Sequence, residues 1–336
     1  MSKLIYNIVK LIILIKNKFN FNSEKNMQSK SSKQEKIYNG KYIKLSKIGG
    51  GSFGQVYLVK DIKTNKEYAM KKFYLDNLGN GGAVKQFEIL SKFDHENIHK
   101  VVDMFIAPNK NQYLITPYYS NNLYNYVPKK LPEKIIKQII LQVINAAKYL
   151  HSLKYLHRDI KPDNILISNE GKIILTDFDL CRLESKGKDD PLTRTAVTLY
   201  YRAPEIFFGD SFYTNKIDIW SIGCVFAELV IGQPLFKGSN ELSTLSKIIE
   251  IIGAPSEDNW PGVSELPNFL PFGGGEFQLG KMLEEKGLSK EGIEIVTSLL
   301  MLDPKKRPTC DELLEKEYFK KDIASADELK KIMELK

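Results

Sequence analysis

The apolar residues of this chain change period at Pro132. Before it they alternate. Ile43, Leu45 and Lys47–Ile48 lead into a glycine cluster, and Val56 and Leu58 alternate again behind it, the pattern of strand, glycine turn and strand. Glu67–Phe73 and Tyr113–Thr116 read as further strands, and Ala83–Phe93 sets Val84, Phe87, Leu90 and Ser91 at helical spacing. After Pro132, apolar residues recur at three and four through Pro132–Ser152, Ile217–Gly232, Asn240–Gly253 and Ile293–Leu302. A small hairpin, Ile165–Ser168 and Ile173–Thr176 across Asn169-Glu170-Gly171, interrupts them. The chain therefore has a small sheet-rich part followed by a larger helical one. Its 336 residues are 43% hydrophobic, enough for a sizeable core, and no internal repeat is visible.

Lys and Arg exceed Asp and Glu by eight, and most of that excess is local: residues 1–36 hold eight lysines and two glutamates. The remainder is nearly neutral, so no broad basic field for nucleic acid is expected. In residues 1–36 the longest apolar run is Leu11–Ile15, far short of the ~20 residues that span a bilayer. Lys10 and the lack of a small-residue cleavage site argue against a signal peptide, and the absence of arginine against a mitochondrial presequence. Leu4, Ile8, Leu11, Ile12, Ile15 and Phe19 share one helical face opposite Lys3, Lys10 and Lys18. The expected reading is a docked helix or a loose extension, with membrane contact by residues 1–20 the lesser alternative. Residues 22–36 read as a flexible linker. Cys181, Cys224 and Cys310 are odd in number and form no C-x-x-C pair, and no H-E-x-x-H occurs. Disulfide frameworks and zinc sites are thereby disfavoured, and cytoplasm or nucleus is the expected location.

The glycine cluster, Gly49-Gly50-Gly51-Ser52-Phe53-Gly54-Gln55-Val56, lets backbone close over phosphates without Cβ atoms in the way. A strand follows it, not a helix, which excludes the dinucleotide-binding version. Tyr68-Ala69-Met70-Lys71 on the next strand offers an ammonium to the α- and β-phosphates. His157-Arg158-Asp159-Ile160-Lys161-Pro162-Asp163-Asn164 supplies a carboxylate to accept a hydroxyl proton and an amide to hold metal. Asp177-Phe178 offers a second metal ligand, and Ala203-Pro204-Glu205 closes the segment. Each element alone is weak. Together, in this order, they form the motif set of protein kinases.

Over residues 42–319 the chain resembles the eukaryotic protein kinases, and within them the group of cyclin-dependent and mitogen-activated kinases. Three features carry the finer match: Val197-Thr198-Leu199-Tyr200-Tyr201-Arg202, Asp218-Ile219-Trp220-Ser221-Ile222-Gly223-Cys224, and the insert Gly238–Phe269 with Asn259-Trp260-Pro261-Gly262-Val263. Leu302-Asp303-Pro304 and Arg307-Pro308 match the terminal motif, with Arg307 expected to pair with Glu205. The resemblance implies an α+β bilobal fold. A five-stranded antiparallel N-lobe with one helix (42–116) leads through a hinge (117–122) to a mainly helical C-lobe (123–319) and a tail (320–336). It implies an ATP- and Mg²⁺-dependent serine/threonine kinase. Asp159 would orient the substrate hydroxyl and Lys161 the γ-phosphate, with Thr198 beside them. Lys71 would anchor ATP, and Asn164 and Asp177 would hold the metal. The nucleotide would lie under Gly49–Val56 among Ile48, Val56, Ala69 and Leu166, against Thr116 and the hinge residue Tyr119.

The resemblance also implies regulation. Twelve residues before Glu205 stands Thr193, the expected activating phosphosite, with Arg158, Arg182 and Lys85 as its cationic partners. Thr195 stands where a mitogen-activated kinase carries tyrosine, which favours the cyclin-dependent side. Arg202 with Ala196–Val197 implies Ser/Thr-Pro substrates. A cyclin partner follows from group membership alone, because Gly79–Phe87 lacks the usual cyclin-recognition hexapeptide. Two residues depart from the pattern. Gln86 replaces the helix glutamate expected to pair with Lys71, keeping a hydrogen bond and losing a charge, so Asp177 would take more of the load. Asp179 replaces the glycine of Asp177-Phe178-Gly, implying a less switchable segment. These departures keep open a second reading, a pseudokinase that binds nucleotide or a partner without efficient phosphotransfer.

Overall fold

Alternation in the first part of the chain builds one twisted antiparallel sheet. The computed structural model describes residues 36–51, 54–74, 82–185, 190, 192 and 198–334; the amphipathic face and linker expected before residue 36 lie outside them. The strands are β1 (Ile37–Tyr38), β2 (Tyr42–Gly51), β3 (Gly54–Asp61), β4 (Glu67–Phe73), β5 (Asp103–Ile106) and β6 (Gln112–Pro117), in the order β1-β2-β3-β4-β6-β5. The expected five strands are thus joined by a two-residue edge strand. β5 has no signature of its own: only Phe105 among its four residues is buried.

Register decides what each face carries. Tyr57 pairs with Met70, while Val56 pairs with Lys71, Leu58 with Ala69, and Ala69 in turn with Thr116. Period two therefore puts Val56, Ala69, Lys71 and Thr116 on one face. On the other, Tyr42, Tyr57, Val59, Met70, Phe105, Tyr113 and Ile115 form a separate small core. Gly54 is obligatory here, since a Cβ would collide with the Lys72 carbonyl oxygen across the pair.

Helix α1 (Gly82–Leu90) buries Ala83, Gln86, Ile89 and Leu90. Its inner stripe is one residue off the Val84–Phe87 stripe expected from apolar spacing, because the polar Gln86 sits inward. The larger lobe is organised by α2 (Glu133–Ser152), whose buried Ile135, Ile139, Val143, Ala146 and Leu150 follow helical spacing. It packs on α3 (Lys216–Ile231), which is buried on nearly every side, as a helix that is apolar all round must be. Around them lie α4 (Glu241–Ile252), capped by Asn240, and α5 (Lys290–Leu299), capped by Ser289 and displaced three residues towards the N-terminus from its apolar run.

Residues 320–334 are folded too. Helix α6 (Ala326–Glu334) sets Leu329 in the main core, and Gly171 in the small hairpin has no room for a Cβ against the Ala326 carbonyl. Residues 38–336 form one unit. Among the described residues no helix is long and apolar enough to cross a membrane.

Candidate active site

The site is assembled by two nested hairpins. The inner one pairs Ile165–Ile167 with Ile173–Leu175, in register Ile165 with Leu175. Its open end places Asn164 beside Thr176, whose amide donates to the Asn164 carbonyl at 2.9 Å, so Asp177 follows within reach of Asn164. The outer one pairs Leu156 with Arg182 and closes both loops together. The loops are strained where they turn: Arg158 and Asp177 have φ of +68° and +62°. Asp179 is not among the residues with positive φ, so in this conformation the third position does not require glycine.

The buried Asp218 carboxylate holds the first loop in place, accepting the backbone amides of His157 and Arg158, each at 2.9 Å. The motif Asp218-Ile219-Trp220 marked this residue only as a family feature, and its work as a buttress was not legible. Within the loop, Asp159 accepts from every side. Thr198 Oγ1 donates to Oδ1 at 2.7 Å, while Lys161 Nζ at 2.7 Å and Asn164 Nδ2 at 2.8 Å reach Oδ2. Lys161 Nζ also donates to Thr198 Oγ1 at 2.8 Å. A carboxylate held this way has one orientation, ready to receive a proton from a hydroxyl set against it.

Above it, Lys71 Nζ donates to Asp177 at 3.0 Å and also to Asp179. Burial opposes the charge on Asp177, but the Lys71 ammonium outweighs it and holds that carboxyl below its usual range. Asp179 goes the other way: burial, with the Asp177 charge added, pushes it up despite Lys71. The hydrogen bond expected from Gln86 is not made. Its Nε2 is buried without a hydrogen-bond partner, and Lys71 turns instead to the two aspartates.

Asn164 spends its amide hydrogens on the carbonyl and carboxylate of Asp159, and Asp177 uses Oδ1 for Lys71. The Asn164 side-chain oxygen Oδ1 and the second Asp177 oxygen are the hard oxygen donors that suit Mg²⁺ shared with substrate phosphates. The residues present therefore fit that ion. Among the described residues no cluster of three or more His, Cys, Asp or Glu side chains could hold a metal by itself.

The other expected nucleotide residues lie on neighbouring strands and on the hinge. Ile48 and Gly49–Gly51 end β2 opposite Val56, Gln55 and Gly54, while Ser52 and Phe53 lie outside the described residues. Leu166 lies on the inner hairpin opposite Ile174 and Asn122. Tyr119 stands 5.5 Å from the buried His99 ring. That histidine, unrecognised in the sequence, ties Pro117 O (3.0 Å) to Thr176 Oγ1 (2.6 Å), joining the hinge to the residue before Asp177. Burial pushes its pKa down to about 4, so it stays neutral.

Thr193, Thr195 and Ala196–Val197 lie outside the described residues. Of the cations expected to meet a phosphate at Thr193, Arg158 donates to Leu180 O (2.6 Å) and Tyr213 Oη (2.9 Å), and Arg182 pairs with Asp190. Arg307 meets Glu205 in a two-pronged pair at 2.7 and 2.8 Å.

His151 Nε2 donates to Asp218 at 2.9 Å. Burial opposes the imidazolium, but Asp218, with Cys310 behind it, raises the pKa to about 10. The folded value exceeds the ordinary 6.5, so the pair stabilises the fold fully below about pH 6.5, and the contribution fades as pH rises to about 10. The urea midpoint of the wild type is expected to fall over that range relative to His151→Gln. Parallel curves would show that the pair contributes no pH-dependent stability.

Residues 42–319 match the family model described as protein kinase domain. Cyclin-dependent kinase C-1 of Arabidopsis thaliana is 34% identical over 309 residues, covering 85% of this chain and 61% of its own length. Its counterpart in Oryza sativa subsp. japonica is 33% identical over 313 residues, covering 85% and 60%. The chain thus spans about three fifths of the length of these curated relatives. A chain of the Chaetomium thermophilum CAK complex bound to ATP-gamma-S superposes with a TM-score of 0.77 at 32% identity, covering 85% of this chain and 94% of that one. This chain belongs to the protein kinase family and is similar, within it, to the cyclin-dependent kinases.

Proposed function

We propose that this protein is an ATP-dependent protein serine/threonine kinase of the cyclin-dependent type. The observation that carries the reading is Asp159, held by Lys161, Thr198 and Asn164, on loops that the inner hairpin brings beside the Lys71–Asp177 pair. In that role Asp159 takes the proton of a substrate hydroxyl as it attacks. Lys161 faces the transferring phosphoryl group, and Lys71 fixes the rest of the triphosphate. Mg²⁺ held by Asn164 and Asp177 would neutralise charge on the phosphoryl oxygens. The transition state of such a transfer asks mainly for position and positive charge, which these side chains provide.

Similarity to a chain from a complex with ATP-gamma-S supports ATP as the donor, and similarity to cyclin-dependent kinases supports a cyclin-type activating subunit. Similarity to the cyclin-dependent kinases also supports a preference for Ser/Thr-Pro sites, read at Arg202, and Thr193 as the activating phosphosite.

The test is phosphate transfer from ATP to paired Ser-Pro and Ser-Ala peptides, with a cyclin-type subunit supplied and Thr193 phosphorylated. Transfer to the Ser-Pro peptide in preference is expected, with Thr193→Ala much less active. No transfer under those conditions, with ATP still bound, would leave the pseudokinase reading instead.

A further inference from the structure

We propose that Asp179 is the positioning residue for Lys71, supplying from the activation segment the carboxylate that helix α1 does not carry. The inference deepens the kinase reading and rests on it. Two features that look like separate departures in the sequence meet at one atom. Gln86, at the helix position expected to engage Lys71, points its Nε2 into a buried space with no partner. Asp179, where a glycine is expected, has its side chain 7% exposed and in an ion pair with that same lysine.

Geometry explains why the third position serves. Phe178 is buried between Phe93 and His157, with ring centroids 5.7 and 4.9 Å away. That anchor fixes the segment on either side of it, and the backbone turn is made at Asp177, not at Asp179. A side chain at 179 therefore costs no backbone strain and reaches Lys71.

Charge explains why it is needed. Lys71 is only 18% exposed and cannot rely on water. Asp177 is its other partner, but Asp177 is also the carboxylate placed to hold the metal, and oxygens turned to a cation are lost to the lysine. Asp179 remains as a partner in that state. One ammonium faces two carboxylates, the same total that a helix glutamate and the metal-binding aspartate would give. The negative charge has moved from the helix to the activation segment. Lys71 is consequently held by the element that also carries Asp177, and a displacement of α1 need not release it.

The experiment uses the full chain carrying Asp179→Asn, Asp179→Gly, and Asp179→Gly combined with Gln86→Glu. Each Asp179 variant is expected to lower kcat/KM for ATP by about 10²-fold, the scale of a misplaced anchoring group. Restoring the helix carboxylate should recover at least tenfold of it, which a merely structural role for Asp179 would not allow. A second readout needs neither nucleotide nor activity. Asp179→Asn should shift the urea midpoint less favourably when Lys71 is present than in a Lys71→Met background, where the Asp179 charge has lost its ammonium. Additive midpoints, or no recovery in the combined variant, would overturn the proposal. Non-additive midpoints in a wild type that transfers no phosphate would support the contact and count against the kinase reading instead.

Discussion

Replacing Asp159 by asparagine is expected to lower kcat by about 10²- to 10⁴-fold, the usual weight of a general base, while leaving the fold and ATP binding nearly unchanged. The isostere suits the site unusually well. An asparagine oxygen can accept from Lys161 Nζ and Asn164 Nδ2, which now share Oδ2 at 2.7 and 2.8 Å. Its NH₂ would then face Thr198 Oγ1, a hydroxyl that can turn from donor to acceptor. Only one amide hydrogen and the hydroxyl hydrogen of the half-buried Thr198 lose a defined partner, so most of the loss should fall on proton acceptance. Initial rates on a Ser-Pro peptide, ATP titration and a melting curve on the same preparation separate the terms. A variant retaining more than about a tenth of the wild-type kcat would show that Asp159 does not act as a general base. A melting temperature several degrees lower would mean the carboxylate is structural.

What could be read from the sequence follows how locally each feature is determined. The β2–β3 hairpin and the inner hairpin were legible because a turn and a two-residue period fix register over a few positions. Lys71 and Asp177 stand 106 positions apart yet meet at 3.0 Å; only the ordered motif set could suggest that, since no periodicity relates them. Strand Asp103–Ile106 was missed because four residues with one buried side chain carry no period. His99 and Asp218 act through backbone groups of other segments, and such partners have no local signature. Asp179 is the clearest case. The sequence shows a glycine replaced by a residue with less backbone freedom. That the replacement is harmless depends on φ at 177 and 179, and that it is useful depends on where α1 presents Gln86. Both are tertiary facts.

Arg307→Ala is expected to cost about 3–5 kcal/mol, the range for removing one partner of a buried ion pair. All five guanidinium N–H groups are used. Nε donates to Met301 O at 2.8 Å; Nη1 to Glu205 and Lys216 O at 2.7 and 3.0 Å; Nη2 to Glu205 and Leu302 O at 2.8 and 3.0 Å. The plane also lies 5.0 Å from the Trp220 ring centre. Alanine would leave the Glu205 carboxylate, 2% exposed, with no opposing charge, beside three carbonyls that each lose a donor. Lysine should recover little, because one ammonium cannot replace a planar fork. For a chain of 336 residues the melting temperature should drop by roughly 4–7 °C. Glu205→Gln combined with Arg307→Met should melt higher than Arg307→Ala, since no lone charge then remains buried; a lower value would show that the carbonyl bonds, not the charge pair, dominate. The consequence reaches the site. Glu205 lies in the short helix Pro204–Phe207, seven residues beyond Thr198. Loosening that anchor frees the segment that carries Thr198 to Asp159. Arg307→Ala should therefore lose activity at temperatures where it is still folded, and an undiminished kcat there would uncouple the anchor from the chemistry.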